Sequence, residues 1–189
     1  MVGTEQLKAD MAYVRAAAGR SETVHVRAYG FLWAVILLFG FSLVDFVNDP
    51  RWVNRYWMVA SPIGFGLSIW LGRRAHRLAG QLDRQASTRW ILHWLGYVAA
   101  GMLGNVLVIS GQLQPAARGP LWVLLLALTY FQAGVHADRR LLPIGLLLAG
   151  CFLIMVFLPA FGSTVAGVLA AAALVAHALL GAPRRAPPR

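Results

Sequence analysis

The sequence predicts an all-α, polytopic membrane protein. It reads as a six-helix transmembrane bundle with both termini cytoplasmic and an N-terminal amphipathic helix on the membrane surface. Three observations carry that reading. Residues of the AVILMFWYC set make up 59% of the 189-residue chain and charged residues only 13%. A soluble domain averages about 25% charge, so these few charges cannot cover a water-facing surface. The charges are also clustered, leaving long uncharged runs, and the runs do not alternate as lipid-facing barrel strands do. The same apolar content excludes a disordered chain, and the lone Cys151 excludes a disulfide-stapled module.

Asp, Glu, Lys and Arg are absent from residues 28–44, 56–72, 90–117, 119–137 and 141–183. A helix crosses a bilayer with about 17–25 mostly apolar residues. The first four runs therefore hold one crossing each. The last holds two, divided where Pro159, Gly162 and Ser163 suit a tight hairpin. The expected spans are 28–47, 56–72, 90–110, 120–137, 141–158 and 162–181, together a transmembrane domain over 28–181. Pro143 falls in the first turn of the fifth span, where a missing N–H matters little. Residues 1–27 form a cytoplasmic segment. Within it 4–20 reads as an amphipathic helix, with Thr4 as cap, Gly19 as stop and Leu7, Met11, Val14 and Ala18 at helical spacing. Residues 182–189 read as a disordered cytoplasmic tail. No cleavable leader is expected.

Orientation follows from arginine placement. With six crossings the two termini share a side, and that side collects all Lys and Arg except Arg51, Arg55 and Arg118. The positive-inside rule makes it the cytoplasm, and the whole pattern suits a bacterial inner membrane. The formal charge of +10 is then a topology signal. Nucleic-acid binding is not expected, since no folded basic domain is present to carry it. Arg73, Arg74, Arg77, Arg139 and Arg140 are expected to hold anionic phospholipid. Trp52, Trp57 and Trp122 at outer ends, with Trp70, Trp90 and Trp94 at inner ends, suit headgroup depth.

Chemistry-bearing groups are few. Asp45 is the only acidic residue within an expected span, with Arg51 and Arg55 near enough in sequence to neutralise it. Asn105 and Ser110 lie at similar depth, so the three make a candidate solute path, weighed against a plain interfacial ion pair. His93, His136 and His177 share the inner depth on three different spans. They are candidates for a haem or a metal, with Asp138 as a further ligand, although no spacing motif supports this and helix ends favour histidine anyway. No cofactor is identified, and no nucleophile faces a base.

Packing signals are stronger. Small residues recur every fourth position as Gly64, Ser68 and Gly72 in the second span and as Gly96, Ala100 and Gly104 in the third. The sixth carries Gly162, Ala166 and Ala170, then Gly167 and Ala171. Such stripes let helices approach closely in lipid, within one chain or between chains. The expected function is therefore non-enzymatic: an interaction or assembly subunit, binding itself or other membrane subunits. The alternatives are a small transporter or channel for a cation or small solute, and a haem- or metal-binding membrane protein.

Overall fold

The computed structural model describes residues 27–47, 49–79, 84–158 and 160–180, together with Gln6 and Tyr13. Among these residues there are six long helices and no strand. They are α1 Arg27–Phe46, α2 Pro50–Ala79, α3 Arg84–Ile109, α4 Arg118–His136, α5 Leu142–Phe157 and α6 Gly162–Leu180. Short 3₁₀ turns, Pro115–Ala117 and Arg139–Leu141, lead into α4 and α5. The expected surface helix over 4–20 and the tail over 182–189 lie outside the described residues, apart from Gln6 and Tyr13.

Five segments are long and apolar enough to cross a membrane: Arg27–Phe46, Thr88–Ile109, Pro115–His136, Arg139–Phe157 and Gly162–Leu180. The second expected span is the one that falls short. Although α2 runs for 30 residues, or about 45 Å, Ser61, Pro62, Gly64, Gly66, Ser68 and Gly72 dilute its apolar character. Its helix extends beyond 56–72 at both ends and runs through Pro62.

The helices pack as antiparallel neighbours in the order α2, α1, α6, α5, α4, α3. On the α2–α1 pair, Tyr56 Oη donates to the Ile36 carbonyl and Trp33 Nε1 donates to Ser68 Oγ, so α2 lies beside α1 over most of its length. Phe41 of α1 abuts Gly167 of α6 at one end, and Gly30 abuts Ala178 at the other. Cys151 of α5 reaches the Ala166 carbonyl of α6, Gly145 of α5 lies on Phe131 of α4, and Gly101 of α3 receives the Trp122 ring of α4. The core is one apolar cluster drawn from α1 (Ala34, Leu37, Phe41), α4 (Val123, Leu126, Ala127), α5 (Ile144, Leu148, Cys151) and α6 (Ala166, Ala170, Leu174). Helices α2 and α3 flank it, adding half-buried aromatics such as Trp57, Trp94 and Tyr97.

Local chemistry ends these helices. Gly111, at φ +77°, stops α3: Gln112 N–H reaches back to the Leu107 carbonyl at 2.9 Å and Gly111 N–H to Val108 at 3.2 Å. Those two bonds are the Schellman pattern, which satisfies carbonyls the helix leaves open. Asp49 accepts from Arg51 N–H at 2.9 Å to open α2, and Asp138 accepts from Arg140 N–H at 3.0 Å to open the turn before α5.

The close α4–α5 approach can be tested directly. A Cβ on Gly145 would stand 2.6 Å from the Phe131 backbone nitrogen and 2.9 Å from its Cα, whereas one on Gly150 meets nothing within 4 Å. Gly145→Ala should destabilise, overpacking typically costing about 1–3 kcal/mol. Gly150→Ala should be neutral or stabilising, since alanine is the better helix former by about 1 kcal/mol. Thermal unfolding of the two variants in detergent checks this; equal melting temperatures would contradict the packing.

Candidate functional site

The best-defined set of polar groups is at the α1–α6 junction. Asp45, half-buried in the last turn of α1, accepts two hydrogen bonds on Oδ2, from Thr164 N–H at 2.6 Å and from Thr164 Oγ1 at 2.7 Å. Thr164 is in the first turn of α6. Its N–H is one of the donors that a helix leaves unpaired at its start, and the carboxylate also meets the positive end of the helix dipole. Asp45 is thus a cap supplied from another helix. Nearby in sequence, the Phe46 ring meets that of Phe161 at a tilt of 53°, with centroids 5.9 Å apart. Phe161, at φ 58°, holds the turn before α6 in a left-handed conformation that side chains rarely adopt.

The other residues expected on a solute path lie elsewhere. Ser110 Oγ donates to Leu107 of its own chain segment at 3.1 Å, and Asn105 is half-buried on α3. Arg51 and Arg55 are exposed at the start of α2, where Arg55 lies over the Trp52 ring at 5.2 Å. A polar contact the sequence reading missed joins α2 to α4: Arg118 Nη1 donates to Asn54 Oδ1 at 3.3 Å. Among the described residues, Thr129 is the buried polar side chain, and its hydroxyl donates to Leu125 within α4 at 2.7 Å.

The three histidines take separate surroundings. His93 Nε2 lies 3.1 Å from the Thr129 carbonyl. A carbonyl only accepts, so Nε2 carries the proton and Nδ1 is the ring's acceptor. His93 also stands between Trp90 and Trp94 in edge-to-face contact, and Trp94 continues to Tyr97 and Tyr130. His136 is exposed at the end of α4, and His177 is half-buried on α6 within electrostatic reach of Asp138 and Arg140. Among the described residues, no three His, Cys, Asp or Glu side chains stand where they could hold one metal ion.

The small-residue stripes divide by direction. Gly64 is buried against Trp33 and Ile36, and Ser68 binds Trp33, so that stripe faces α1; Gly72, its third member, is half-buried. Gly104 faces Leu121 of α4, whereas a methyl group added at Gly96 would meet nothing within 4 Å; Ala100 is half-buried between them. On α6, Gly162 faces α5 and Gly167 faces α1. The arginines Arg73, Arg74, Arg77, Arg139 and Arg140 are exposed, and Arg74 lies over Trp70 at 5.4 Å.

Five helical segments of this length and apolarity define a multi-pass helical membrane protein. Compared with protein-family models, with curated proteins and with solved structures, the chain matches none.

The Asp45 cap yields a coupling. Asp45→Ala and Thr164→Val should each destabilise the chain, and the double variant should lose less than the sum, by about 1–2 kcal/mol. Strict additivity in a detergent-denaturation cycle would mean that the two side chains do not act on each other.

Proposed function

We propose that this chain is a non-enzymatic bacterial inner-membrane protein that acts as an assembly subunit, binding a second copy or a larger membrane complex through the outward face of α3. One observation carries the reading. Gly96 sits on that face with open space around it, on the least buried of the five segments apolar enough to cross a membrane, 17% against 39% for α6. A glycine there weakens the helix by about 1 kcal/mol relative to alanine and returns no packing inside the chain. It does permit another helix to approach closely. The role found for Asp45 supports this choice over solute handling, because its carboxylate is engaged in holding α1 to α6.

The topology proposed with it has six crossings. Beside α1, an antiparallel α2 is carried through the same thickness of lipid even though its own apolarity is low. Six crossings put both termini on the arginine-rich side, the cytoplasm by the positive-inside rule. The exposed arginines at the inner ends of α2 and before α5 then face anionic lipid, each worth about 1 kcal/mol near a charged surface.

Two measurements test this. Purified in mild detergent, the protein should run as an assembly larger than one chain. Gly96→Leu should reduce it to single chains without lowering its melting temperature. A strictly monomeric particle with no co-purifying chain overturns the assembly role. For topology, reporters fused at the two ends should read the same compartment; opposite compartments would mean that α2 does not cross.

A further inference from the structure

A groove of about 770 Å³ runs between α1 and α2, within the size range of sites that hold small ligands. Its walls are apolar: Leu32, Ile36 and Leu43 from α1 face Val59, Ala60 and Ile63 from α2. Of its lining side chains only Arg55 is charged, and Tyr56, the other polar one, already donates its hydroxyl to the Ile36 carbonyl at 2.8 Å. Arg55 is near the end of the groove where α1 gives way to α2. Its guanidinium is exposed, has no carboxylate partner among the described residues, and is oriented by its contact with the Trp52 ring. From Trp52 to Ile63 the α2 wall extends about 17 Å along the helix, close to the roughly 15 Å of one leaflet's hydrocarbon.

An apolar trough one leaflet deep, with a single oriented cation at its interfacial end, is complementary to a molecule with a hydrocarbon chain and an anionic head. We propose that the α1–α2 groove is a binding site for one phospholipid, with an acyl chain lying against Ile36, Val59, Ala60 and Ile63 and the phosphate on Arg55. A protein helix is a poorer fit, since it would leave that guanidinium against apolar side chains. This inference is independent of the assembly role of α3, which packs on a different helix.

The test is native mass spectrometry of the full chain, delipidated in detergent and titrated with phosphatidylglycerol. One phospholipid per chain should survive conditions that strip the rest. Occupancy should fall about tenfold for Arg55→Gln, the loss expected for a charge-assisted contact, and should recover largely in Arg55→Lys. Ala60→Phe, which fills the groove, should abolish it while the melting temperature stays near that of the parent. Diacylglycerol with the same chains but no phosphate should bind about tenfold more weakly. Equal occupancy for the parent and Ala60→Phe, equal binding of diacylglycerol, or photocrosslinks from the groove to another protein chain would each overturn the assignment.

Discussion

Close backbone approach is the constraint on which this structure depends. Lipid solvates a leucine as well as a neighbouring helix does, so apolar burial alone does not drive these helices together. What holds them is short-range contact where a side chain is missing. Gly30 and Gly167 let α1 and α6 meet at two heights, and Gly162 brings α6 onto α5. Gly134 and Gly145 bring the backbones of α4 and α5 together. The four helices joined in this way are the four that supply the apolar core.

The carboxylates serve the same end. Asp45, Asp49 and Asp138, the acidic residues among those described, each accept a backbone N–H at the start of a helix or helical turn. Helix starts leave unpaired donors and a positive partial charge, and low-dielectric surroundings make both expensive to leave unanswered. Asp49 and Asp138 do this locally, two residues before the donor. Asp45 does it across 119 positions of sequence and thereby clasps the C-terminal end of α1 to α6. A carboxylate engaged by two donors is a structural group first, which is why the chain's one acidic residue in an apolar span does not by itself argue for ion transport.

Aromatic residues divide between the same two tasks. Trp52, Trp70 and Trp90 are exposed near helix ends, where an indole at headgroup depth is expected. Trp57, Trp94 and Trp122 are partly buried between helices, and Trp122 fills the space over Gly101. The flanking helices α2 and α3 are attached largely through such rings rather than through the core. They present their remaining faces outward, and there the open Gly96 and the α1–α2 groove are found.

Much of this architecture was legible in the sequence, because charge is too costly to bury in lipid and so marks each crossing. Expected spans of 28–47 and 162–181 compare with helices Arg27–Phe46 and Gly162–Leu180. Where the bounds differ, as in α2, the helix continues past the uncharged run through Arg51, Arg55, Arg73, Arg74 and Arg77. A charge there ends the apolar run without ending the hydrogen-bonded backbone. Residue types and periodicity also identified the small-residue stripes and singled out Asp45. They could not say which way each stripe faces, that Gly96 and Gly104 of one stripe have different surroundings, or that Asp45 would answer Thr164 rather than a nearby arginine. Those outcomes depend on which helices become neighbours, a matter of three-dimensional fit between distant segments, and only the tertiary structure decided them.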